Sequence, residues 1–137
     1  MKKFLMISAL CGLSACASVP FMNEPPVPTT PATPVFFQPF SANLDQPALD
    51  TIAAAAKAAN EEPGAQVTVI GAADGVGSAA ANKYLSKTRA QVVADQLETD
   101  GVDPSRLRIR GEGTAPSPAP AAGAAQSARR ALIQIGG

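Results

Sequence analysis

Gly71-Ala-Ala-Asp-Gly-Val-Gly-Ser-Ala-Ala-Ala-Asn-Lys-Tyr-Leu-Ser-Lys-Thr-Arg-Ala90 is the stretch on which the reading of this chain turns. Just before it, Gln66-Val-Thr-Val-Ile70 alternates Val67 and Val69 with polar neighbours, the period of a strand. Within it, Gly71, Gly75 and Gly77 mark a loop. From about Ala79 to Asp100 the apolar spacing then predicts a helix, with a stripe of Leu85 or Ser86, Ala90, Val93 and Leu97 and a stop at Gly101. The stretch therefore reads strand, loop, helix, with a carboxylate, Asp74, and a guanidinium, Arg89, at opposite ends of the turn. Such a pair suits a ligand carrying both an ammonium and a carboxylate. Asp74 accepts from the first and Arg89 forks around the second with two charge-assisted hydrogen bonds. A phosphate loop is excluded, because no Gly-Lys-Ser/Thr follows the glycines.

Working outward, Val35-Phe-Phe-Gln38 is a short apolar run that reads as a first strand. Ser41-Ala-Asn-Leu-Asp45 offers helix caps, and Pro47 sits where a first turn tolerates a missing donor. A helix follows with Leu49, Ile52, Ala53 and Ala56 at helical spacing, ended by Asn60-Glu-Glu-Pro-Gly64. Beyond Gly101, Arg106-Leu-Arg-Ile-Arg110 alternates strictly and reads as a third strand with Leu107 and Ile109 inward and the three arginines on one solvent face. The Pro- and Ala-rich stretch from Thr114 to Ala128 reads as a long loop, and Ala131-Leu-Ile-Gln-Ile135 as a last strand. Strands separated by helices make this a small α/β domain with crossover connections. Its only aromatics are Phe36, Phe37, Phe40 and Tyr84, so a thin core is expected.

The amino terminus has a different character. Lys2-Lys3 followed by Phe4-Leu-Met-Ile-Ser-Ala-Leu10 is a positive region and a short apolar region, the pattern of an export signal over residues 1–15. Leu13-Ser-Ala-Cys16 looks like a bacterial lipobox, which makes Cys16 the lipidated first residue of the mature chain and leaves no cysteine pair for a disulfide. Residues 16–34 then carry the Pro- and Thr-rich run Val19 to Pro34, whose sixteen residues would span roughly 50 Å as an extended tether. Ala17 after the cysteine resembles the outer-membrane sorting pattern. Together these place the expected domain at 35–137, facing the periplasm.

With 11 basic and 11 acidic residues, nothing favours a nucleic-acid partner, whose binders carry a basic excess. The chain has no His, the commonest metal ligand and general base, so neither a metal site, a cofactor nor a catalytic centre is expected.

The quoted stretch resembles the OmpA-like peptidoglycan-binding domain, which reads G-H-T-D-x-x-G-x-x-x-x-N-x-x-L-S-x-x-R-A. Gly71, Asp74, Gly77, Asn82, Leu85-Ser86 and Arg89-Ala90 keep that spacing, while Ala72 and Ala73 replace the His-Thr. Gly101-Val-Asp-Pro-Ser-Arg106 is similar to the family's G-[IV]-x-x-x-R turn, and Arg129-Arg130 to its last-strand N-R-R. The resemblance implies a two-layer βαβαβ domain with a final strand, a mixed four-stranded sheet and helices on one face. It further implies a non-catalytic site for the diaminopimelate of the peptidoglycan stem peptide. Asp74 takes the ammonium and Arg89 the carboxylate, with Asn82, Gly75 and Gly77 in support and Arg129 lining the pocket. The plainer readings stay open: Asp74 as a cap, Arg89 as its internal partner, and Arg129 as a structural arginine. The alanines beside Asp74, and Pro39 and Phe40 where relatives offer polar contacts, also leave open a scaffold that docks an envelope protein instead.

Overall fold

A computed structural model describes residues 31–115 and 124–136 of the chain. The expected signal peptide, Cys16 and most of the tether lie outside the described residues. The elements are β1 (Thr33–Phe36), α1 (Gln46–Glu61), β2 (Val67–Ala73), α2 (Ala79–Thr99), a 3-10 turn (Pro104–Arg106), β3 (Leu107–Thr114), α3 (Ala124–Ala128) and β4 (Arg130–Ile135). They form a four-stranded mixed sheet in the order β1-β4-β2-β3. β2 pairs with β3 in parallel through the α2 crossover, whereas β4 runs antiparallel to both β1 and β2. The last strand is thus inserted in the middle of the sheet, and α1 and α2 cover one face.

Local chemistry sets the helix ends. The Asp45 carboxylate accepts from Ala48 N–H at 3.0 Å and caps α1. Ser78 Oγ accepts from Ala81 N–H at 3.1 Å and caps α2. At the far end of α2, Gly101 adopts φ +100°, Val102 N–H reaches back to Leu97 O at 2.9 Å, and Gly101 N–H reaches Glu98 O at 3.0 Å. This is a Schellman stop, and its apolar follower Val102 is buried in the core.

The main core joins Ile52 and the alanines of α1, Val93 and Leu97 of α2, Val67 and Val69 of β2, and Ile133 of β4. Several expected faces shift. The buried stripe of α1 is Ala48, Ile52, Ala55, Ala56 and Ala59, while Leu49 is only half-buried and Ala53 is exposed. On α2 it is Ser86, not Leu85, that turns inward: its hydroxyl donates to Lys83 O at 2.9 Å and accepts from Gly113 N–H at 2.8 Å. Ile109 is 36% exposed because β3 is an edge strand of the sheet, with no neighbour on its outer side among the described residues. Of the aromatics among the described residues, only Phe37 is buried.

β2 and β3 extend past their expected ends to Ala73 and Thr114, and a register shift between Gly71 and Ala73 gives β3 one extra residue. Gly113 sits in this bulge at φ +81°. Part of the expected long loop is instead helical, because Ala124–Ala128 forms a short helix ahead of β4.

Arg106 corrects another expectation. It is not a solvent-facing strand residue but closes the end of α1 from the 3-10 turn. Its Nη2 donates to Ala59 O and Glu62 O, both at 2.7 Å, and Nε to Ala65 O at 2.8 Å. The last turn of α1 has no basic residue of its own, so this guanidinium satisfies carbonyls that the helix leaves open. Arg106→Ala is expected to lower stability by about 1 to 2 kcal/mol, read as a reduced urea midpoint at unchanged slope.

Candidate functional site

β1 and β2 run the same way and β4 runs against them. The end of β1, the end of β2 and the start of β4 therefore meet at one end of the sheet. Asp74 is the first residue past β2, and Arg129 the last before β4. Arg129 Nη1 donates to Asp74 Oδ2 at 3.2 Å, with both side chains mostly buried, and its Nε donates to Phe37 O at 3.3 Å. One guanidinium thus joins the acidic side chain to the loop after β1.

Arg89 lies beneath them. It has no exposed surface, and its guanidinium donates through Nε to Ser41 O at 2.9 Å, through Nη1 to Ala72 O at 2.9 Å and through Nη2 to Gln38 O at 3.1 Å. Its Cζ also stands 5.2 Å from the centre of the Phe37 ring. Burial pulls the Arg89 pKa below its ordinary value, the nearby Asp74 carboxylate opposes that shift, and Arg129 adds to it. The guanidinium keeps its proton all the same.

Asn82 is buried on the first turn of α2 and donates through Nδ2 to Thr114 Oγ1 at 3.2 Å. Gly77 adopts φ +98° in the loop between Asp74 and the Ser78 cap, and Gly75 stands next to Thr114, 3.6 Å from its Cγ2 to where a Cβ would be.

The structure therefore brings Asp74, Arg89 and Arg129 into one cluster and ties Asn82 to the end of β3. Asp74 receives its hydrogen bond from Arg129, while the donors of Arg89 go to three backbone carbonyls. Sequence reading missed Thr114 as the partner of Asn82, and it missed the Phe37, Gln38 and Ser41 carbonyls as acceptors. Backbone acceptors carry no residue signature, so no pattern in the chain could have marked them. One carboxylate flanked by two guanidiniums leaves a net positive charge, with charges of both signs side by side at one end of the sheet. Among the described residues, no group of three or more His, Cys, Asp or Glu side chains is placed to hold a metal.

Comparison with known proteins agrees with this architecture. The peptidoglycan-associated lipoprotein of Burkholderia pseudomallei superposes with a TM-score of 0.68 at 22% identity, covering 75% of this chain and 89% of that one. The C-terminal domain of Helicobacter pylori MotB gives 0.69 at 21% identity, covering 76% and 85%. Identities this low speak for the fold alone. In sequence, the chain is 40% identical over 77 residues to the probable lipoprotein YiaD of Escherichia coli K12, which is 56% of this chain and 35% of that protein. The chain thus spans about a third of that relative's length. The family model described as the OmpA family matches residues 36–132, which run from the end of β1 into β4 and take in β2, β3, the helices and the charged cluster described above. The chain belongs to the OmpA family.

Proposed function

We propose that this non-catalytic domain binds peptidoglycan, holding the diaminopimelate of the stem peptide at Asp74, and that a lipid on Cys16 anchors it to the outer membrane with the domain in the periplasm. The observation that carries the reading is a carboxylate at a sheet end, partly open to solvent and flanked by two arginines. A lone acid there would attract any cation. With Arg129 and Arg89 beside it, the site favours a ligand whose ammonium and carboxylate lie on one carbon.

In this reading Asp74 takes the ammonium. Arg129, with some exposed surface, offers the ligand carboxylate its free donors, and Arg89 adds charge from beneath while it holds the loop. Gly75 and Gly77 shape the loop that follows Asp74, and Asn82 ties the start of α2 to Thr114. The names of the Burkholderia and Escherichia relatives, a peptidoglycan-associated lipoprotein and a probable lipoprotein, support both halves of the proposal. A tether between two attachments raises the effective concentration of each, so a weak pocket is enough to link membrane and wall.

The test is co-sedimentation with insoluble peptidoglycan. Wild type is expected in the pellet. Asp74→Asn and Arg129→Met, each removing one side of a charge-assisted contact, are expected to weaken binding by about tenfold or more. Equal sedimentation of all three proteins would refute the assignment.

A further inference from the structure

Gln38-Pro39-Phe40-Ser41 closes as a turn through Ser41 N–H donating to Gln38 O at 3.2 Å. Pro39 suits the second position of such a turn. Phe40, at the third, has φ +55°, where a type II turn calls for Gly or Asn. Among the described residues it is the one non-glycine with positive φ, and its side chain is 72% exposed. The fold therefore bears a left-handed backbone at a residue whose ring gains almost nothing from burial.

The turn is also pinned. Arg89 binds the Gln38 and Ser41 carbonyls on either side of Phe40, and Arg129, which holds Asp74, binds the Phe37 carbonyl. The same two guanidiniums that flank the carboxylate thus fix the backbone that presents the ring. Strain kept at an exposed residue, and held there by the groups of the candidate site, points to a contact made outside the fold.

We propose that Phe40 is the apolar contact of the site, packing its ring on carbon surface next to the ammonium and carboxylate of the bound wall fragment. The inference rests on the peptidoglycan reading. Two parts of the fragment have that chemistry: the methyl of the first alanine of the stem peptide and the carbon face of a glycan ring.

The test titrates the full chain with an alanyl-glutamyl-diaminopimelate tripeptide and with the same tripeptide on its disaccharide. Phe40→Ala and Phe40→Gly are expected to bind about tenfold more weakly, and Phe40→Trp to retain affinity. Loss with both ligands assigns the ring to the peptide, and loss with the disaccharide form alone assigns it to the sugar. Phe40→Gly relieves the left-handed strain, so its melting temperature should hold or rise, separating lost contact from lost fold. If wild type binds and the Ala and Gly variants bind equally well, the role of Phe40 is overturned. If wild type binds neither ligand, the peptidoglycan reading falls and takes this inference with it.

Discussion

Gly71→Ala is expected to cost about 3 kcal/mol or more, a large share of the stability of a domain of this size. A Cβ at Gly71 would lie 1.8 Å from the Ser86 carbonyl oxygen and 2.9 Å from the Ala90 nitrogen, both backbone atoms of α2. A crowded side chain can change rotamer, but a helix backbone cannot. Nor can α2 lift away locally, because a Cβ at Gly111 would already meet the Lys87 nitrogen at 2.7 Å and the Ser86 hydroxyl is bonded to Gly113 N–H. Relief therefore needs the whole helix to move off the sheet, which would open the layer containing Val93 and Leu97. Thermal unfolding measures the effect, with Gly64→Ala as the control, since nothing lies within 4 Å of a Cβ there. A Gly71→Ala domain that melts within a few degrees of wild type would mean that the helix and sheet are not in such close contact.

The same contact explains what the sequence could and could not reveal. Helix ends were legible because their causes are local: Asp45, Ser78 and Gly101 act on atoms a few residues away. Strand and helix identity followed from apolar spacing, as at Val67, Val69, Val93 and Leu97. The inward turn of Ser86 over Leu85 depends instead on the Gly71 and Gly111 backbones approaching α2, and the exposure of Ile109 on β3 being at an edge. Neither depends on neighbours in sequence. Arg106 shows the limit clearly. Its alternation with Leu107 and Arg108 is that of a strand, yet its partners are carbonyls more than forty residues back at the end of α1. In sequence the Ala124–Ala128 segment reads as loop because the prolines before it dominate the composition, although its own alanines favour a helix.

The candidate site was half legible for the same reason. The motif spacing singled out Asp74, Asn82 and Arg89, and the last-strand arginines singled out Arg129. It could not tell which arginine meets the carboxylate, because that depends on where residue 129 arrives, 55 positions beyond Asp74. In the fold, Arg129 is the bonded and partly accessible partner, and Arg89 is the buried anchor. The two positions therefore call for different experiments. Arg129 can be tested for binding, since its loss leaves Asp74 able to turn toward water.

Arg89→Met, by contrast, should act first on the fold. The variant removes the donors to Ser41 O, Ala72 O and Gln38 O, of which the Ala72 bond is buried. It also leaves Asp74 without one of its two cationic neighbours. Truncating one side of such a buried charged network typically costs about 3 to 5 kcal/mol, well above the cost of the empty volume that methionine partly fills. Arg89→Lys tests geometry separately from charge. An ammonium is a point donor and cannot face three carbonyls spread around a planar guanidinium, so this variant should fall between wild type and Arg89→Met. Asp74→Asn leaves every Arg89 bond in place but removes the carboxylate between two guanidiniums, so it should melt below wild type and above Arg89→Lys. Thermal unfolding of the four proteins orders them as wild type, Asp74→Asn, Arg89→Lys and Arg89→Met. If Arg89→Met is as stable as Asp74→Asn, the three carbonyl bonds contribute little, and Arg89 would be free to swing toward a ligand carboxylate. If the order holds, peptidoglycan binding lost in Arg89→Met reports a collapsed loop, whereas Asp74→Asn, which leaves the carbonyl bonds of both arginines in place, reports on the carboxylate itself.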